Sequence, residues 1–520
     1  MKHILKTTDF KGITGGLFLG ILIVGVLLRF LMLSNQSLWI DEGITLEITK
    51  NLNLIENLSM LLKAKQGQGF QPLYFLIMPY WRFVFGDSEF ALRLMSALPG
   101  SATVILLSLI ALRVYGRTYA LWCAALATFS AFAVFYSQDA RPYALLIFLA
   151  TTQVYFLGSV LCAEKNDKVS RWGFWITTML GLFASIFTFL FTAALALSHL
   201  IIYRDWKHWL RWWIPAVLFA LPAITFYFFS FLSTPQTSAS HYGFSILEKA
   251  LFVPYGILVG QTYGPPIESL HSQERWQAVF SYLPELLVLL LVFSIIAVFL
   301  LKVIFKKSED KQRQNADWFF ASLLVISFVL AFLFAMLTQL WLPRHSFFLW
   351  IPFVLLIPAL SRLNNKSGFL AKGVLTMLIV LNVYSLSNYF FKHSYRKDDY
   401  RAVAQYLTSH ASPNIASVIL WGKPSLLAYY GDTKTLVLYE GGKHFAEKIS
   451  NKTQHAQTVF IVVNNEFYWQ KQKKITVKKA MSGLYTLNSS VSFPNFIIYR
   501  FHRKMPMDET ARHQRIAKST

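Results

Sequence analysis

The chain has 520 residues, 55% of them hydrophobic and only 14% charged, with a formal net charge of +23. A soluble domain carries about 25% charged residues, which excludes a soluble enzyme, and apolar runs long enough to cross about 30 Å of hydrocarbon recur along the chain. The positive charge lies in short clusters beside those runs, where it sets topology and meets anionic lipid; no basic helix or aromatic single-strand platform points to nucleic acid.

In chain order, Lys2, Lys6 and Lys11 precede an apolar stretch from about Ile13 to Leu33. It is longer than the apolar region of a cleaved signal and lacks a small-residue cleavage site, so it is expected to stay as helix one, with the N-terminus cytoplasmic. Arg29 reads as an interfacial residue near its outer end. Residues of about 34–90 then form a first outer loop, in which Pro72 to Phe85 is expected as an interfacial or re-entrant helix. Helix two (Ala91 to Leu112) returns to Arg113 and Arg117, helix three (Tyr119 to Tyr136) goes out, and helix four (Pro142 to Cys162) comes back to Lys165, Lys168 and Arg171. Trp172 to Tyr203 has basic residues at both ends and is too long for one span, so it is expected as a tight pair of short helices. Helix seven (Trp212 to Leu232) leads to an outer loop from Ser233 to Trp276, and helix eight ends at Lys302, Lys306 and Lys307. Helix nine (Trp318 to Leu342) exits at Pro343-Arg344-His345, helix ten returns to Arg362 and Lys366, and helix eleven (Phe369 to Phe390) exits last. The expected fold class is therefore membrane all-α, with about eleven spans over residues 1–391 and the C-terminal portion extracytoplasmic.

After residue 391 the character changes. Asp398 to Ser409 has helical periodicity, and Val418-Ile-Leu, Val459-Phe-Ile-Val-Val and Asn495-Phe-Ile-Ile-Tyr-Arg read as strands. Residues 392–503 are expected to form a small α/β extracytoplasmic domain, and residues 504–520 a charged, disordered tail. Cys123 and Cys162 lie in apolar segments and make neither a metal spacing nor a disulfide framework.

This threading places unusual polar residues on one side of the membrane. Asp41 and Glu42 follow helix one, Asp139 and Arg141 lie at the turn between helices three and four, and Arg344 and His345 follow helix nine. The acidic pair has three readings: a solvated loop pair, a carboxylate capping a helix that starts near Gly43, or a group placed to take a proton from an acceptor hydroxyl. Arg141 and Arg344 are either arginines snorkelling to headgroups or guanidinium groups that hold a phosphate bidentately, with His345 able to donate to the same phosphate. As a lone histidine, His345 is not a metal site. Tyr74 and Tyr143 are either interfacial aromatics or contacts to sugar or lipid.

Several motifs in order carry a resemblance. Ser37-Leu-Trp-Ile-Asp-Glu, Gln71-Pro-Leu-Tyr-Phe-Leu and Phe85-Gly-Asp-Ser-Glu-Phe-Ala-Leu-Arg-Leu are followed by Tyr136-Ser-Gln-Asp-Ala-Arg-Pro-Tyr, Leu342-Pro-Arg-His-Ser-Phe-Phe and Asp398-Asp-Tyr-Arg-Ala-Val. Together, and most closely over residues 13–160, they resemble bacterial glycosyltransferases of the family 39 group, which includes protein O-mannosyltransferases and, more distantly, lipid A aminoarabinose transferase. The resemblance implies a GT-C fold, a polyprenyl-phosphate sugar donor and Asp41 as the catalytic carboxylate. Many relatives have a basic residue and two prolines before the Leu-Tyr, where this chain has Phe70-Gln71-Pro72; if that basic residue contacts donor phosphate in relatives, either Lys63 or Lys65 replaces it here or the contact is absent. His345 stands where the family has an aromatic residue.

The resulting expectation is a hexosyl or pentosyl transferase of the plasma (inner) membrane. It would move sugar from a polyprenyl-phosphate carrier to a hydroxyl of a protein or glycolipid on the extracytoplasmic face. Asp41 would be the base, Glu42 would orient it or hold it ionised, Arg141, Arg344, His345 and Lys65 would bind donor phosphate, and Asp139, Tyr74 and Tyr143 would contact substrate. No cofactor is implied, and the residues do not decide a divalent metal requirement. A transporter or flippase would show repeat-related broken helices and mid-membrane charges, and a non-catalytic scaffold would not need acids and guanidinium groups on one side.

Overall fold

The computed structural model describes residues 13–63, 67–162, 168–233, 245–266, 269–270, 275–306, 310–338, 341–420, 422–431, 434–438, 445–464 and 477–504. Lys65 and residues 505–520 of the tail expected to be disordered lie outside the described residues. The chain divides into two compact units. The first comprises Met1–Asn35, Ile44–Ile267 and Trp276–Tyr395, and the second Gln36–Gly43, Glu268–Arg275 and Arg396–Thr520.

The first unit is helical. Its elements are α1 (Ile13–Phe30), α2 (Ile40–Ile48, whose first turn belongs to the second unit), α3 (Leu54–Leu62), α4 (Pro72–Phe85), α5 (Glu89–Tyr115), α6 (Arg117–Phe129), α7 (Ala131–Ser137), α8 (Tyr143–Leu161), α9 (Lys168–Ala184) and α10 (Phe187–Tyr203). It continues with α11 (Trp206–Ser233), α12 (Ile246–Val259), α13 (Arg275–Ser281), α14 (Leu283–Phe305), α15 (Lys311–Thr338), α16 (Phe347–Leu356) and α17 (Asn365–Phe391). Among the described residues, α5, α8, α11, α14, α15 and α17 are long and apolar enough to cross a membrane, and α6 with α7 makes a further span if the bent pair is one crossing. α1, α10 and α16 with its 3₁₀ continuation Ile357–Arg362 are shorter apolar helices. α14 leaves Leu287, Leu290, Leu291 and Leu301 exposed on its surface, an arrangement that suits hydrocarbon rather than water. The protein is a multi-pass membrane protein.

Local sequence explains the breaks. α4 starts on Pro72, whose missing N–H is harmless at the first helical position. With 14 residues it is about 21 Å long at about 1.5 Å per residue, short of a bilayer core. Ser130 ends α6 with an extended backbone and caps α7, its Oγ accepting from Ala133 N at 3.3 Å, and the two helices meet at 54°. α9 and α10 are separated by Ser185 and Ile186 alone. The stretch expected as an outer loop between Ser233 and Trp276 is not loop throughout, because it contains α12. A reciprocal capping box starts that helix: Glu248 N donates to Ser245 Oγ at 3.3 Å, and Ser245 N donates to Glu248 Oε2 at 2.6 Å.

The second unit is α/β. Its helices are α18 (Tyr400–Ser409), α19 (Pro424–Tyr430), α20 (Phe445–Lys452) and α21 (Val477–Met481). Its strands are β1 (Ile415–Leu420), β2 (Leu436–Leu438), β3 (Thr458–Asn464), β4 (Tyr485–Phe493) and β5 (Phe496–Arg503), in the order β2-β1-β3-β5-β4. β1 pairs in parallel with β2 and β3, whereas β5 is antiparallel to β3 and β4. β3, with Val459-Phe-Ile-Val-Val at its centre, is buried along its whole length, as a strand covered on both faces must be. The β4–β5 turn is Pro494-Asn495, where Asn495 adopts a left-handed φ of 59°, a conformation asparagine tolerates better than most residues.

Candidate functional site

In the first unit, the turn after α7 carries Asp139 and Arg141. Gln138 fixes it by donating from Nε2 to the carbonyls of Leu28 at 2.9 Å and Leu31 at 2.8 Å, which ties the turn to the end of α1. Thr45 of α2 donates to the Ala140 carbonyl at 3.1 Å and accepts from Arg141 Nη1 at 3.4 Å. Ser96 of α5 donates to the Arg141 carbonyl at 3.0 Å, and the Tyr74 hydroxyl lies 3.5 Å from Ser96 Oγ. The guanidinium carbon of Arg141 stands 5.5 Å from the centre of the Phe75 ring, a cation–π contact. Asp139, Arg141, Tyr74 and Tyr143 are all buried, and Tyr143 packs edge-on against Tyr136. The structure thus gathers Arg141 and Tyr74 around one buried network.

Arg344 and His345 lie on a separate 3₁₀ turn of the first unit, Pro343–His345, and both are half-buried. Trp341 Nε1 donates to Ser346 Oγ at 2.8 Å across the base of this turn. The imidazole of His345 stacks on Phe187. Gly256 of α12 passes so close to Pro343 that a Cβ there would stand 2.6 Å from Pro343 Cγ. An unrecognised helix therefore supports the turn that carries Arg344.

Arg29 is not interfacial. It is fully buried and donates to the carbonyls of Gly25 at 2.7 Å, Gly100 at 3.1 Å and Ala127 at 3.0 Å. The guanidinium thereby joins α1, α5 and α6. Arg93, also buried, donates to the Leu33 carbonyl at 2.8 Å.

Asp41 and Glu42 belong to the second unit, on the first turn of α2. Glu42 is fully buried; its Oε2 accepts the Trp39 backbone N–H at 3.3 Å, and its Oε1 is 3.8 Å from Lys397 Nζ. The helix starts at Ile40 rather than near Gly43, so Glu42 does not precede it as a cap but lies inside its first turn and reaches back to the Trp39 N–H. Asp41 beside it is half-buried. Lys397, itself buried, also stands 5.9 Å over the Trp39 ring. Sequence reasoning missed Lys397, Thr45 and Ser96, because a partner so distant along the chain leaves no local spacing. Among the described residues, no group of three His, Cys, Asp or Glu side chains is arranged to hold a metal ion.

No family model and no curated protein sequence matches the chain. Solved structures do. ArnT from Cupriavidus metallidurans in the apo state is similar with a TM-score of 0.54 and 11% identity, over 94% of this chain and 98% of that one. The same protein bound to undecaprenyl phosphate gives a TM-score of 0.50 at 11% identity over the same shares. An oligosaccharyltransferase from Archaeoglobus fulgidus in the apo form gives 0.48 at 11% identity, over 95% of this chain and 76% of that one. The chain has the GT-C glycosyltransferase fold.

Proposed function

We propose that the protein transfers a sugar from a polyprenyl-phosphate carrier to a hydroxyl of a protein or glycolipid on the extracytoplasmic face of the plasma membrane. The observation that carries this reading is the likeness to ArnT, which runs through nearly the whole of both chains and includes a form bound to undecaprenyl phosphate. In the proposed reaction the acceptor oxygen attacks the anomeric carbon and gives its proton to the Asp41 carboxylate. The bond from that carbon to the phosphate oxygen breaks, and its electron pair leaves with the polyprenyl phosphate. A single displacement inverts the anomeric centre. Arg141, Arg344 and His345 are proposed to meet the charge that develops on the leaving phosphate, with Lys65 as a further cation and Asp139, Tyr74 and Tyr143 as substrate contacts. Fixed donors aimed at developing charge are worth about 100- to 1,000-fold each in rate.

The test is transfer in membranes supplied with labelled lipid-linked sugar. Asp41→Asn, which keeps the shape and removes the base, is expected to abolish transfer while the protein accumulates normally; near-normal transfer would take Asp41 out of the mechanism. Arg344→Ala is expected to weaken use of the donor, and unchanged donor saturation would end its phosphate role.

A further inference from the structure

Within the second unit, the short segment Gln36–Gly43 is pinned to a piece of chain hundreds of residues later. Ser37 Oγ donates to the Asp398 carbonyl at 2.8 Å and accepts from Tyr400 N at 3.0 Å. Leu38 N donates to the Tyr430 hydroxyl at 2.7 Å, and Lys397 N donates to Gln36 Oε1 at 2.9 Å. A Cβ on Gly43 would stand 2.7 Å from the Leu426 side chain, so the helix start sits hard against α19. The pinning residues are themselves anchored to the sheet. Asp398 accepts from Asn464, at the end of β3, at 3.3 Å, and from Asn495, in the β4–β5 turn, at 3.1 Å.

The two neighbouring acids are thus in different circumstances. A fully buried carboxylate such as Glu42 needs a positive partner or several donors. It has the Trp39 N–H on one oxygen and the Lys397 ammonium facing the other. Both contacts act on the turn that also bears Asp41.

We infer that Lys397 is a positioning residue for the Asp41 carboxylate: by pairing with Glu42 it fixes the first turn of α2, and the α/β domain is therefore part of the transfer machinery rather than an appended module. This rests on the proposed role of Asp41. In this role Lys397 acts through Glu42 rather than on the carrier, so its loss is expected to harm turnover and spare carrier binding.

The test uses the full chain in detergent, with undecaprenyl phosphate alone as the binding probe, and transfer measured in membranes whose lipid-linked sugars carry metabolic label. Lys397→Met is expected to cut transfer per folded molecule about 100-fold, the scale of a small misplacement of a reacting group, with undecaprenyl phosphate binding within about twofold. Lys397→Arg keeps the charge and is expected to recover most of the transfer. Transfer by Lys397→Met close to that of the parent overturns the inference, and so does a loss matched by equal loss of binding, which marks general misfolding. If Lys397→Met fails to accumulate, Glu42→Gln, which removes the charge and keeps the shape, must show the same split; parental transfer by that variant overturns the inference. Asp41→Asn assayed in parallel separates the two claims. An inactive Asp41→Asn beside a fully active Lys397→Met sinks the positioning role alone, whereas an active Asp41→Asn sinks the base and this inference with it.

Discussion

His345 lies flat against Phe187, with ring centroids 4.6 Å apart and planes 10° from parallel. Stacking fixes the plane of the imidazole, so its two nitrogens can act only around the edge of that plane. This separates two jobs of one side chain. His345→Phe keeps an aromatic face on Phe187 and removes the hydrogen bonds. It is expected to leave thermal stability unchanged and to raise the donor KM about tenfold, the loss expected for one hydrogen bond to a charged group. His345→Ala removes both and is expected to lower stability as well. A His345→Phe enzyme with an unchanged donor KM would confine His345 to packing.

Arg29 makes a different prediction from an arginine at a lipid headgroup. Its guanidinium serves carbonyls of Gly25, Gly100 and Ala127 in a buried position, so Arg29→Met leaves those acceptors facing an apolar group. The expected cost is about 3 kcal/mol of stability in a detergent melt. Arg29→Lys is expected to fall between the two, since an ammonium lacks the planar fork that reaches several acceptors at once. An interfacial arginine would tolerate either change.

The loop that follows α4 is clamped by charge. Arg82 donates from Nε to Asp87 Oδ1 at 2.5 Å and from Nη2 to Oδ2 at 2.8 Å, and its Nη1 donates to the Leu46 and Thr49 carbonyls at 2.9 and 2.8 Å. The Arg82 hydrogen bond holds the Asp87 carboxyl below the usual carboxylate range. A depressed folded-state value means that the stabilisation is fully present above the unfolded value of about 3.9 and disappears as pH falls through the lower folded one. Asp87→Asn is therefore expected to melt earlier than the parent at neutral pH, with the two curves converging only below about pH 4. A gap that persists unchanged in acid would mean that Asp87 acts by shape rather than charge.

Hydropathy and helix punctuation made much of the first unit legible. Pro72 and Gly86 bracket α4, and Ser88 with its bond from Ala91 N opens α5. The break at Ser130 was not legible, because it depends on partners brought from elsewhere: Trp350 Nε1 donates to Ser130 Oγ at 3.0 Å, and Ala131 N donates to Asn382 Oδ1 at 2.9 Å. α12 had a readable signal in Ser245-x-x-Glu248 that apolarity alone passed over. In the second unit, β3 announced itself by five consecutive apolar residues, whereas the Tyr485–Phe493 strand did not. It lies at the sheet edge with polar residues over most of its length, so no buried face marks it. The candidate cations and acids were visible singly, but the pairing of Glu42 with Lys397 is a property of the folded chain.

Arg362 was legible only as a charge that stops a helix, yet it faces Asp317, with Nη2 to Oδ2 at 2.5 Å, and its guanidinium carbon lies 5.6 Å from the Tyr115 ring and 5.8 Å from that of Tyr119. Asp317 is nearly buried on α15, and Tyr119 continues the network by donating to the Leu355 carbonyl at 2.8 Å. Breaking one side of such a pair strands a charge away from water, which costs about 3–5 kcal/mol, whereas replacing both partners by apolar groups of similar volume is often neutral. Asp317→Leu and Arg362→Met are each expected to lower the melting temperature in detergent, and the double variant is expected to lose much less than the sum of the two single losses. Strictly additive losses would show that the two side chains act separately, and that α15 is held to the Ile357–Arg362 turn by packing alone.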